Sequence, residues 1–206
     1  MPIVNSSQSV DWRVWCVHAS KTSWTRLGRK TVQIGALLLL GGILAGRTDA
    51  QSMDEYKVKA LFLYNFAKFV DWPDDVFRGP TDPITLCVLG VDPFGPALED
   101  AVNFRFVGRR PLVVRRLSQS KHATGCQILF VSSSERHRLD AIFDAVKSAS
   151  VLTIGESPNF IWSGGAIRFL LVEGNRVRFE INPQEAISQR LRISPNVLNL
   201  AKIVKK

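Results

Sequence analysis

Cys87 and Cys126 are the residues of this chain best equipped to do chemistry, and the compartment decides which chemistry it is. In an oxidising compartment an even pair points to a disulfide, whereas in the cytosol the same two would be buried, inert thiols. Other candidates for chemistry are weaker. His122 and His137 lie 15 positions apart in polar surroundings and match no zinc spacing, so they read as solvated surface residues. Gly90-Val91-Asp92-Pro93-Phe94-Gly95 invites a phosphate only superficially, because it lacks the Lys-Ser/Thr of a P-loop and the dinucleotide glycine spacing. A structural turn is the better reading. Ser132, Ser133 and Ser134 have no glycine-flanked nucleophile elbow and read as helix-capping residues. No catalytic residue, metal site or cofactor is expected.

Which compartment applies depends on the N-terminal segment. TVQIGALLLLGGILAGRTDA, residues 31–50, holds 16 uncharged residues between Lys30 and Arg47. As a helix they would span roughly 24 Å, short of the roughly 30 Å hydrocarbon core of a bilayer. Arg13, Lys21, Arg26, Arg29 and Lys30 precede the run, and Thr48-Asp49-Ala50 ends it. This order of basic, apolar and small residues is that of a secretory signal peptide over residues 1–50 with a long basic n-region, cleaved after Ala50. An uncleaved anchor and a cytosolic core helix are the alternatives. Cleavage removes Cys16 and leaves the even pair. It also lowers the formal charge from +9 to +5 for residues 51–206, which keep 21 basic and 16 acidic residues. That remainder carries no Lys/Arg run and no interleaved aromatic and basic stripe, so nucleic-acid binding has no support. Its 156 residues suit one domain with its own core.

Positioning these residues falls to alternating helical and extended segments, the pattern of a single-domain α/β layered fold with a central mixed sheet flanked by helices. Met53–Val70 has helical spacing and stops before Asp71-Trp72-Pro73. Ile84–Leu89 is a strand, followed by Asp92-Pro93 as N-cap and first residue of a helix through about Val102. Leu112–Leu117, Gln127–Val131 and Val151–Ile154 are further strands, and Ser132 to Glu135 forms a capping box for a helix to about Ser148. Ala166–Val172 and Arg176–Ile181 flank Glu173-Gly174-Asn175, which is hairpin chemistry. Pro183 begins a short helix, and Ser194-Pro195 caps a last one with Val197, Leu200, Ala201 and Val204 on one apolar face.

Two stretches suggest binding. Ala60 to Pro73 is apolar around most of its circumference, so this helix is either buried on two sides or offers one side to a partner or a second copy of the chain. In RVRFEIN, residues 176–182, Val177, Phe179 and Ile181 alternate with Arg176, Arg178, Glu180 and Asn182. The polar face is either a solvated outer strand or a small pocket in which Glu180 and Arg192 hold a zwitterionic or phosphate-bearing ligand.

YNFAKFVDWP, ITLCVLG, CQILFVSS, SGGAIRFLLVEGNRVRFEIN and LRISPNVLNLAKIV together resemble the YfiR-like family of exported bacterial proteins, over about Glu55 to Val204. The resemblance implies a compact α/β domain without catalysis, located in the periplasm. Its implied action is to bind the periplasmic sensor portion of an inner-membrane diguanylate cyclase and repress it, lowering cyclic di-GMP and biofilm formation. The membrane would be met only through that partner, and Leu63, Tyr64, Phe66, Phe69 and Trp72 of the aromatic helix would supply the contact. A homodimer is compatible with the same surface. Cys87 and Cys126 match one family disulfide, while the second family pair would fall near Ile161 and Arg168, neither of which is cysteine. Glu180 and Arg192 fall where the family resemblance places a small-molecule pocket. An exported small-molecule receptor for a nucleotide or amino acid is thus the alternative function.

Overall fold

A computed structural model describes residues 47–205; the bulk of the expected signal peptide, residues 1–46, lies outside the described residues. Among the described residues no helix is long and apolar enough to cross a membrane.

The centre of the sheet is built from strands that are buried on both faces. Strands β2 (Ile84–Leu89), β5 (Ile128–Val131) and β6 (Leu152–Gly155) are buried at every position, as near-continuous apolar runs in a parallel sheet must be. With β3 (Phe106–Val107), β4 (Arg110–Leu117), β7 (Ile167–Val172), β8 (Arg176–Ile181) and β10 (Lys202–Ile203) they form an eight-stranded sheet of order β10-β8-β7-β6-β5-β2-β4-β3. The pairs from β4 through β7 are parallel, whereas β3–β4 and β7–β8 are antiparallel. The expected mixed sheet is therefore observed. Glu173-Gly174-Asn175 turns the β7–β8 hairpin with φ of 75° at Gly174 and 57° at Asn175.

Each face has its own core. On one, helix α1 (Arg47–Phe69) lays Ala60, Leu63, Phe66 and Ala67 onto Leu86, Ile128, Phe130, Leu152, Ile154, Ile167 and Phe169, and α2 (Ala97–Val102) adds Leu98 and Ala101. On the other, α3 (Leu139–Val146) packs Leu139, Ile142 and Val146 against Cys87, Leu89, Leu129, Val131 and Phe160. Phe160 lies so close over Gly155 that a Cβ there would come within 2.4 Å of its ring. A two-stranded pair, β1 (Val70–Asp71) with β9 (Arg192–Ile193), extends the end of α1, and short helices α4 (Pro183–Ser188) and α5 (Pro195–Leu198) flank β9.

Helix α1 begins at Arg47, six residues before the Met53 expected from sequence, and three further helix limits differ from the sequence reading, each of these for a local reason. Asp92 does not cap a helix at Pro93. Its carboxylate accepts from Phe94 N at 2.8 Å and pairs with Arg116 at 2.8 Å, so α2 begins only at Ala97. The Ser132–Glu135 capping box does not close, because Ser132 N already donates to Leu89 O in the sheet and Glu135 turns to Arg138. Residues 133–135 make a 3-10 turn instead, and α3 starts at Leu139. The last helix is a single turn. The open edge of β8 draws Lys202 and Ile203 into a strand, with Val204 N donating to Ile181 O at 2.8 Å, and Leu200 is left exposed.

Candidate functional site

Cys87 sits mid-strand in β2, and Cys126 ends the 3-10 segment Ser120–Gly125 just before β5, the neighbouring strand. They are joined as a disulfide with their Cα atoms 6.0 Å apart, both buried in the α3-side core. Of the two readings open from sequence, the bridge is the one found.

Along the sheet from β4 to β7, strand order reverses direction at β2 and β5: β2 connects through α2 on one face and β5 through α3 on the other. In open α/β sheets the crevice at such a reversal, beyond the carboxyl ends of the strands, is where ligands settle. Here it is filled from within. Ser134 Oγ accepts from Val91 N at 3.0 Å, and a Cβ on Gly90, whose φ is 91°, would lie 2.4 Å from that oxygen. The Gly90–Gly95 segment is therefore a structural turn.

The aromatic helix divides into a buried and a half-exposed set. Leu63 and Phe66 are not available to a partner: both are buried, and Phe66 packs its ring against Phe169 and Phe179 at 6.1 and 5.2 Å. Helical periodicity turns these two positions toward the sheet together with Ala60 and Ala67. Tyr64, Phe69 and Trp72 are half-buried. Lys68 Nζ stands 5.5 Å from the Tyr64 ring and 5.6 Å from the Phe69 ring, and the Arg105 guanidinium lies 4.7 Å over Tyr64. Trp72 is fixed by donating its Nε1–H to Gln127 O at 3.2 Å.

Glu180 and Arg192 are not brought together. Glu180 and Asn182, expected on a polar outer face, are buried. Antiparallel pairing sets Arg168 opposite Glu180, and parallel pairing sets Lys202 beside it. Arg168 donates to the Glu180 carboxylate at 2.6 and 3.1 Å and Lys202 at 2.8 Å, and Arg168 also reaches Pro158 O. Burial opposes ionisation of Glu180, but hydrogen bonds from Lys202 and Arg168 and their charges outweigh it and hold the carboxyl below its usual range. Arg192 instead belongs to β9, pairs across to Asp71 of β1, and is 85 % exposed in its side chain. Because Ser194 N donates to Phe69 O at 2.8 Å, β9 is bound directly to the aromatic end of α1. Tyr64, Lys68, Phe69, Trp72 and Arg192 thus belong to one end of the molecule.

Sequence reading missed a buried ionic cluster at the other end of α1. Lys59 Nζ lies 2.5 Å from Glu55 and 2.6 Å from Glu156, and 4.4 Å over the Tyr56 ring, with only 4 % of its side chain exposed. Tyr56 donates to both Glu156 oxygens at 3.2 Å. Its burial, then the Glu156 charge, push the phenol well above its ordinary range. The i,i+4 spacing of Glu55 and Lys59 was legible, but Glu156, nearly a hundred positions away, was not. A cleft of about 320 Å³ between α3 and α4 was also missed; Phe143, Asp144, Lys147, Glu185 and Gln189 line it, and the Gln189 Oε1 is buried with no hydrogen-bond partner among the described residues.

Residues 56–202 match the YfiR/HmsC-like family, which is most of the chain. The chain belongs to that family. The fold is similar to the crystal structure of a conserved domain protein from Vibrio cholerae O1 biovar El Tor, with a TM-score of 0.50 and 12% identity over 73% of this chain and 60% of that one. The ABC domain in complex with L-Trp from Streptococcus pneumoniae matches with a TM-score of 0.44 and 10% identity, over 58% of this chain and 55% of that one. At these identities the likeness to the first concerns the fold, and that to the second carries no argument.

Proposed function

We propose that this chain is an exported, non-catalytic regulator that represses an inner-membrane diguanylate cyclase by contact with its periplasmic sensor portion. Membership of the YfiR/HmsC-like family over residues 56–202 is the observation that carries the reading, and the Cys87–Cys126 disulfide agrees with export. The contact surface is the aromatic end of α1 with β1 and β9, presenting Tyr64, Lys68, Phe69, Trp72 and Arg192. Leu63 and Phe66 support that surface from the core. Repression of this kind needs only a preference for the inactive cyclase, and a ~10⁴-fold difference in affinity moves an equilibrium from 99:1 to 1:99.

The test is deletion followed by complementation, reading cellular cyclic di-GMP. The wild-type chain should lower it, and chains carrying Lys68→Glu or Arg192→Glu, both at exposed positions, should not, although they melt at the wild-type temperature. Cyclic di-GMP that does not respond to deletion or complementation with any candidate cyclase present would refute the reading.

The α3–α4 cleft favours a second reading, an exported small-molecule module, with the ligand there rather than at Glu180 and Arg192. A ligand present at 100 times its dissociation constant adds about 2.7 kcal/mol to stability. A thermal-shift screen of nucleotides and amino acids tests it, and no shift with any of them counts against it.

A further inference from the structure

The ribbon from Asn103 to Leu117 carries five arginines, and the fold engages only some of them. Arg110 donates to Gly79 O and Asp82 O at 2.7 and 3.1 Å and lies 3.6 Å over the Phe77 ring. Arg116 is bound by Asp92 and Glu99. Arg105, Arg109 and Arg115 are exposed and have no carboxylate partner among the described residues, Arg105 resting only on the Tyr64 ring. The carboxylates of Asp92 and Glu99 on this side are already matched by Arg116, which leaves Asp100 as the exposed acid of α2.

Beside Arg105 stand two of the most exposed aromatic side chains among the described residues. Phe104 is 91 % exposed and Phe106 58 %, and Phe104 adopts a φ of 56°. That left-handed conformation is disfavoured for a residue with a Cβ, and more so for a bulky one. The backbone holds it through Arg105 N donating to Val102 O at 3.0 Å and Leu112 N donating to Arg105 O at 3.2 Å. Alternation along β4 places Val113, itself 36 % exposed, on the same sheet face as Arg115. The outer edge of the sheet therefore carries a projecting aromatic tip, with Phe106, Val113 and Arg115 on the face that also carries Cys87 and with Arg105 turned to the Tyr64 side of the same edge.

We infer that this β3–β4 edge, Phe104 and Phe106 with Arg105, Arg109 and Arg115, docks on an anionic lipid surface. Charge complementarity selects the occupant. A second copy would bring like guanidinium groups face to face, and β3 is only two residues long, too short for a strand-to-strand interface. Aromatic rings settle at the headgroup level of a bilayer, and each nearby Arg adds attraction to an anionic leaflet. This adds to the sequence expectation, in which the membrane was met only through a protein partner. It does not rest on the cyclase reading, since vesicles contain no protein.

Co-sedimentation of the full chain with vesicles of equimolar phosphatidylglycerol and phosphatidylcholine, and with phosphatidylcholine alone, is the test. The chain should sediment with the first and not the second, and added salt should release it. Phe104→Ser with Phe106→Ser, and separately Arg109→Glu with Arg115→Glu, should each weaken binding by about tenfold or more. Arg176→Glu, at the tip of the β7–β8 hairpin on the opposite side of the sheet, should leave binding unchanged. Any contribution of residues 1–50 is common to all these chains. Failure to sediment with anionic vesicles, full binding by both double variants, or an equal loss with Arg176→Glu overturns the inference.

Discussion

Reducing the Cys87–Cys126 bridge is expected to destabilise the domain by about 4 kcal/mol. The bridge joins residues 39 apart, and for a loop of that length the chain-entropy relation gives roughly 13 cal/mol/K, or about 4 kcal/mol at room temperature. Reduction isolates that contribution. Both cysteines are buried, at 0 and 1 % exposure, and reduction keeps all their heavy atoms in the core, the two sulfurs moving apart only from bonding distance to van der Waals contact. A Cys87→Ala, Cys126→Ala chain loses the same loop restraint and leaves a void as well, so it should fall below the reduced protein. In a urea titration followed by tryptophan fluorescence, a dependence of about 2 kcal/mol/M turns the loss into a midpoint shift of about 2 M. The melting temperature should fall by about 8–16 °C for a domain of this size. Two further signs distinguish the mechanism: the denaturant slope should rise on reduction, because the unfolded chain expands, and protein prepared without reductant should show no titratable thiol at these two positions. A loss under about 1 kcal/mol on reduction would refute the reasoning, because the bridge would then constrain little that the sheet does not already hold.

Removing one partner of the buried cluster at the start of α1 should be more damaging than any surface ion pair. Lys59→Met strands Glu55 and Glu156 with 12 % side-chain exposure each, and a loss of about 3–5 kcal/mol is expected by chemical denaturation, with Glu156→Gln in the same chain recovering part of it. Glu180 gives the pH dependence. Its folded-state carboxyl lies below the usual 4.5, so its contribution is fully present above that value and is lost as the pH falls through the lower folded value. Glu99, lowered mainly by its hydrogen bond from Arg116, acts in the same direction. Melting temperature should therefore drop more steeply below pH 4.5 in the wild type than in Glu180→Gln; parallel curves would refute the assignment.

Strands were the most legible part of the fold because their apolar runs are bounded by turn chemistry. Ile84–Leu89 and Arg176–Ile181 have the limits expected from sequence, and Gly174-Asn175 supplies the turn before the second. Helix starts were less legible because a capping side chain has competing uses. Asp92 is captured by an arginine 24 positions away, and the Ser132 backbone is captured by β2, so neither cap closes as the local sequence proposes. The aromatic helix was legible as a helix, but its two faces were not. Five aromatic or aliphatic positions were candidates for contact, and the sheet claims Leu63 and Phe66.

The pocket expected from Glu180 and Arg192 does not form, for a reason that also explains why Arg192 is exposed. Proximity along the chain set these two together, but a carboxylate buried in a sheet takes its partners from the neighbouring strands. For Glu180 those are Arg168 and Lys202, 12 and 22 positions away, aligned by the β7–β8 and β8–β10 registers. A ligand cation or amine at Glu180 would have to displace both in a site where each charge is already matched, which gains nothing over the pairs present. Arg192 is freed by the same topology. The two-residue β1–β9 pair holds it opposite Asp71 at a distance of 3.9 Å, too exposed to contribute much to folding. Charge reversal there is thus free to act on binding alone, whereas Glu180→Gln acts on stability, and the two variants separate a surface role from a structural one.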